Sequence, residues 1–235
     1  MAELLEIEGL EGGYGRKRVL YGVSMRAEPG EVVGIVGHNG AGKTTLLKTI
    51  FGMLPSHGGS VMYEGVDLCG QGCRKIVRRG VAFIPSEEFV FADLTVIDNL
   101  HLAAPPELGA KEWRERLEEI YELFPILSER NDQLAGTLSG GQQRMLSLAM
   151  AMQRDPRLLL LDEPSLGLAP ALAERLFEHV RTLADQSGQA VLLVEQNLRR
   201  AFAICDRVYV MRAGQVIGES AAEELRARDS YWDLF

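Results

Sequence analysis

Gly37-His38-Asn39-Gly40-Ala41-Gly42-Lys43-Thr44-Thr45 fits G-x-x-x-x-G-K-[ST], the pattern of a phosphate-binding loop. The residues before it, Glu31 to Val36, form a short apolar run rich in β-branched side chains, as a buried strand requires. Those after it, Leu46 to Phe51, continue as a helix with an apolar face. A strand running into the loop and a helix leaving it is the context that separates a nucleotide site from a ligand-free glycine turn. Glycines at 37, 40 and 42 allow backbone amides to approach phosphate oxygens with no Cβ in the way. The helix start adds partial positive charge. On this reading Lys43 neutralises the β- and γ-phosphates and the Thr44 hydroxyl ligates Mg²⁺. His38, Asn39, Ala41 and Thr45 belong to the same cradle.

The chain has 235 residues, room for one large or two modest domains, and no stretch long and apolar enough to span a membrane. Lys plus Arg number 25 against 33 Asp plus Glu, a net charge of −8, which argues against a nucleic-acid partner bound through a basic face. The acidic start, Met-Ala-Glu-Leu-Leu-Glu, lacks the basic region of a secretory signal. Cys69, Cys73 and Cys205 make no metal-ligand pattern and read as free thiols of a reducing, cytoplasmic compartment.

In chain order, residues 3–8 and 18–27 read as strands joined by a loop, Glu11 to Gly15, that carries Tyr14. An aromatic there is either a nucleotide-base platform or a half-exposed hairpin tyrosine. Residues 59–63 and 81–84 read as strands around a basic helix at 74–79, whose charges mark a solvated face. From about residue 95 to 153 the pattern turns helical. Thr95 and Asp98 form a capping pair, and Lys111–Phe124 carries Trp113, Leu117, Ile120, Tyr121 and Phe124 at helical spacing for packing. Leu138-Ser139-Gly140-Gly141-Gln142 precedes a helix expected over 143–153, whose start offers amides to an anion. Four leucines, Leu158–Leu161, run into Asp162-Glu163, the signature of a strand inside a parallel sheet. Ligands in such sheets lie beyond the carboxyl ends of the strands, which puts Asp162 beside the Thr44 magnesium. A helix at 171–185, a strand at 190–194, a short helix at 198–204 and a hairpin, 207–211 with 215–218, complete the chain.

Residues 37–45, 138–142 and 158–163 together resemble the ATP-binding subunits of ABC transporters, over essentially the whole chain. The resemblance implies an α/β fold: a P-loop NTPase (RecA-like) core with an N-terminal antiparallel β-subdomain and an inserted α-helical subdomain. The single ATPase domain spans 1–235, with 1–88 and 154–235 as core and 89–153 as the insert. It also implies that Tyr14 stacks on adenine. ATP and Mg²⁺ are the implied ligands, with Thr44, Asp162 and Ser86 around the metal and Glu163 and Gln196 as catalytic residues. Family members work as a nucleotide sandwich, so Leu138, Ser139, Gly140, Gly141 and Gln142 would contact ATP held by a second ABC ATPase subunit. Further partners are transmembrane permease subunits and, indirectly, an external solute-binding protein, with the chain on the inner face of the plasma membrane.

Leu161–Pro170 and Val194–Asn197 are most similar to the ATPases of branched-chain amino acid importers and related amide and urea importers. Export ATPases, soluble ABC ATPases and non-catalytic ATP-binding subunits are the competing classes. Two positions depart from the general family pattern. Gln196 stands where most members carry histidine and brings a hydrogen-bond donor but no positive charge. Ser86 stands where most have glutamine, too short to reach both metal and membrane subunit, with a water or Glu87 as substitute.

Overall fold

The computed structural model of the chain describes residues 3–86 and 90–227. The suggested role for Glu87 lies outside the described residues.

β1 (Leu5–Tyr14) and β2 (Lys17–Ala27) form an antiparallel hairpin. Of the loop expected over 11–15, residues 11–14 are instead the end of β1. Register shifts after Ile7, Leu10 and Gly12 bend the strand without ending it, so Tyr14 pairs with Lys17 across a turn of two residues. β3 (Val32–Val36) leads through the glycine loop into α1 (Lys43–Ile50). β4 (Ser56–Tyr63) and β5 (Val66–Asp67) complete a four-stranded antiparallel sheet in the order β2-β1-β4-β5. The basic run forms α2 (Cys73–Arg78), followed by β6 (Val81–Ile84).

Between β6 and the next strand the chain is helical: α3 (Val96–Ala103), α4 (Ala110–Leu123), α5 (Pro125–Glu129) and α6 (Gly140–Met152). Thr95 caps α3, its hydroxyl accepting from the Asp98 amide at 3.2 Å. α6 starts three residues earlier than expected. Ser139 is its N-cap, and Gln142 Oε1 accepts from the Ser139 amide at 2.9 Å, the capping box that draws Gly140 and Gly141 into the first turn. The remainder alternates: β7 (Leu158–Asp162), α7 (Pro170–Ser187), β8 (Ala190–Val194), α8 (Leu198–Ile204), β9 (Arg207–Arg212), β10 (Gln215–Ala221) and α9 (Ala222–Arg226).

The second sheet has the order β10-β9-β3-β8-β7-β6, parallel except for β10. Every residue of β3, β7 and β8 is buried, which explains why these strands read as unbroken apolar runs. Alternate side chains serve two cores. Val33, Ile35, Leu158, Leu160, Leu192 and Val194 join α1 and the antiparallel sheet. Val32, Val36, Leu159, Leu161, Val191 and Leu193 join the helices of the other face.

The β9–β10 turn ties these layers to the glycine loop. Gly214 donates its amide to the Ala41 carbonyl at 2.8 Å and accepts from the Tyr21 amide at 2.9 Å. It does so at φ +80, and a Cβ there would lie 1.8 Å from the Val19 carbonyl oxygen. Gly214→Ala is therefore expected to destabilise the fold by about 3 kcal/mol or more, since backbone must move. Gly65→Ala is the control: its φ is +75, but nothing lies within 4 Å, so only the left-handed backbone costs, about 1 kcal/mol. Urea denaturation of the two variants checks the difference.

Candidate functional site

Four adjacent strands end at one place. β3 delivers the glycine loop, β8 delivers Glu195 and Gln196, β7 delivers Asp162 and Glu163, and β6 delivers Pro85 and Ser86. All are carboxyl ends of parallel strands, where open α/β sheets place their ligands. A cleft of about 400 Å³ opens there, with Tyr14, Asn39, Lys43, Thr44, Glu163 and Gln196 in its walls.

The loop folds on its own lysine. Lys43 is 5% exposed, and its ammonium donates to the Gly37 carbonyl at 2.7 Å and the His38 carbonyl at 3.1 Å. Burial lowers its pKa from the ordinary value, opposed by the charges of Glu163 and Asp162. Gly37 is required by close approach, since a Cβ would lie 2.3 Å from the Met211 carbonyl oxygen.

Thr44 Oγ1, in the first turn of α1, donates to Asp162 Oδ1 at the end of β7 at 3.1 Å. Asp162 is fully buried, and its Oδ2 accepts no hydrogen bond of normal geometry. Burial raises its pKa; the Thr44 hydroxyl opposes this, the Glu163 charge adds to it, and Lys48 and the Ser86 hydroxyl pull it down. An orphaned carboxylate oxygen beside a threonine hydroxyl fits a hard divalent cation that takes its remaining oxygens from phosphates and water. The described residues contain no group of three His, Cys, Asp or Glu side chains able to hold a metal alone.

Glu163 adopts φ +50, unusual for a side chain other than glycine. Its amide donates to the Val194 carbonyl at 2.8 Å, and Gln196 Nε2 donates to its Oε2 at 2.8 Å. Glu195, 3% exposed, accepts from the Ser165 amide at 3.0 Å and the Gln196 amide at 3.1 Å, holding the two loops together.

The structure brings Tyr14 and the loop residues to the same cleft as Glu163 and Gln196. Leu138–Gln142 do not line it: Ser139 and Gly140 are exposed at the start of α6. Lys17 and Val19, which line the cleft beside Tyr14, escaped the sequence reading. No local sequence signal marks them; they reach the cleft because Tyr14 pairs with Lys17 across the hairpin.

A family model described as ABC transporter matches residues 20–166. The high-affinity branched-chain amino acid transport ATP-binding protein BraG of Pseudomonas aeruginosa is 39% identical over 232 residues, covering 97% of this chain and 99% of that protein. The lipopolysaccharide export system ATP-binding protein LptB of Escherichia coli is 34% identical over 226 residues, covering 94% and 92%. A solved ATP-binding subunit of an ABC transporter superimposes with a TM-score of 0.87 at 30% identity, covering 98% of this chain and 96% of its own. The fold expected from the sequence, a P-loop NTPase core with an antiparallel subdomain and a helical insert, is the fold of these cassettes.

The buried carboxylate has a consequence for stability. An acid whose folded pKa is raised destabilises the fold above that value, and the penalty fades as pH falls through it towards the ordinary carboxylate range. Asp162→Asn should therefore raise the melting temperature of the nucleotide-free chain at about pH 7, and by less at about pH 5. The same variant should lose the Mg²⁺ dependence of ATP binding. Thermal melts at the two pH values and nucleotide titrations with and without Mg²⁺ check both.

Proposed function

The chain belongs to the ABC transporter family, whose ATP-binding domain binds and hydrolyses ATP, and we propose that it powers the import of branched-chain amino acids or related amides. One observation carries the catalytic part: Lys43, Thr44, Asp162, Glu163 and Gln196 meet at the carboxyl ends of three adjacent strands. Similarity to BraG over nearly the whole chain carries the transport part.

In this reading the loop amides and Lys43 hold the β- and γ-phosphates, exchanging the lysine's carbonyl contacts for phosphate oxygens. Tyr14, exposed at the end of β1, stacks on the adenine. Thr44 and Asp162, with Ser86 beside them, would hold Mg²⁺, which would supply positive charge against the phosphates. Glu163 orients or deprotonates the attacking water, and Gln196 fixes its carboxylate with one amide hydrogen. The second amide hydrogen of Gln196 serves the γ-phosphate.

Ser139, Gly140 and Gly141 contact ATP bound by a second ATPase subunit. ATP joins two anion-binding surfaces, and hydrolysis releases them. Permease subunits receive this motion, and a solute-binding protein delivers cargo to them. No helix among the described residues is long and apolar enough to cross a membrane. In this reading the permease subunits hold the chain at the inner membrane face. Similarity to LptB supports a second reading, export with the same ATPase cycle.

The test is ATP turnover and ATP-dependent dimerisation of the chain alone and mixed with its candidate second ATPase. Turnover only in the mixture supports a heteromeric importer. Glu163→Gln is expected to slow turnover by about 100-fold or more while keeping ATP binding and the closed dimer. Tyr14→Ala should weaken ATP binding by about tenfold and Tyr14→Phe hardly at all, a difference that fluorescent-nucleotide titration measures. Solute uptake in vesicles carrying permease and binding protein separates import from export.

A further inference from the structure

Arg144 lies one turn into α6, 2% exposed, the largest fully buried side chain among the described residues. A guanidinium stays charged at every physiological pH, and burying it is costly unless its donors are met. Among its contacts, both terminal nitrogens reach backbone carbonyls at two strand ends. Nη1 donates to the Pro85 carbonyl, immediately before Ser86. Nη2 donates to the Asp162 carbonyl at 3.2 Å and the Glu163 carbonyl at 3.0 Å. The Glu163 carbonyl also accepts from the Leu166 amide at 3.1 Å, so both ends of its left-handed peptide unit are fixed. The start of the helix also lies close to the loop that follows Glu163: a Cβ added at Gly141 would sit 3.5 Å from the Gly167 carbonyl oxygen.

We propose that Arg144 is the positioning residue that couples each chain's signature helix to its own Glu163. The inference rests on the functional reading above, in which Ser139–Gly141 close on the partner's ATP. The start of α6 is exposed and in that reading meets the partner; one turn later the helix grips the backbone that sets the Glu163 carboxylate. A rigid helix has no slack between these points. Closure at Ser139 therefore pulls directly on the geometry of hydrolysis in the closing chain, and the Pro85 contact passes the same movement to the Ser86 loop. Arg144 touches no reacting atom and acts through Glu163.

The test compares the wild type with Arg144→Lys, Arg144→Gln and Leu146→Ala, in whichever assembly turns over ATP. Leu146 is fully buried on the same helix, so its truncation reports what loosening α6 does by itself. Arg144→Gln should bind mant-ATP and form the ATP-dependent dimer within about threefold of wild type, yet hydrolyse about 100-fold more slowly, with KM little changed. Arg144→Lys should recover part of that loss, and Leu146→Ala should keep a near-normal kcat. The proposal is overturned if kcat falls equally in Leu146→Ala, if dimerisation falls in step with kcat, or if Arg144→Gln turns over normally. It is also overturned if even Arg144→Lys no longer binds mant-ATP, which would make the residue a folding element. A wild type that hydrolyses no ATP in any assembly would instead remove the functional reading itself.

Discussion

The parallel ladder that sets β3, β8 and β7 side by side is the constraint on which the rest depends. Each of these strands is buried on both faces, so its backbone groups must be paired strand to strand along its full length. Pairing fixes register, and register fixes where each strand ends: Ile35 lies opposite Val194, and Val194 opposite Asp162. The loop, the two acids and Gln196 therefore emerge at one level. No contact between the functional side chains is needed to bring them together.

What the ladder assembles is electrostatically incomplete. A buried lysine is met only by carbonyls of its own loop, and a buried aspartate has one oxygen unmatched. Burial pushes both groups towards their neutral forms. In the proposed reading a triphosphate with its cation would supply the opposite charge at each point. Ligand binding then gains by pairing these two buried charges.

Much of this was legible in the sequence because it is local. The phosphate loop, the leucine strand into Asp162-Glu163 and the strand at 190–194 announce themselves within ten residues, and the parallel core follows from their apolar runs. Readings failed where the cause is distant or subtle. Glycines at 12 and 13 resemble a loop, but bulged pairing with β2 and β4 keeps them in β1. Gly140 and Gly141 resemble a helix approach, but the capping box places them inside α6. Arg144 reads as an ordinary helix arginine, since its acceptors at Pro85 and Asp162-Glu163 are neighbours only through the fold. Lys17 and Val19 enter the cleft only because the antiparallel hairpin lies over the loop.

The order of the strands also governs how the molecule is made. β3 finds its partners at residues 191–194 and 207–210, so the strand that feeds the phosphate loop waits for nearly the whole chain. Val32–Val36 is buried along its whole length in the finished sheet, and both strands that pair with it are made late. Such long-range parallel pairing makes for slow folding and a sticky intermediate during synthesis. Completion of β8 and β9 is the moment at which an exposed hydrophobic edge becomes a nucleotide site.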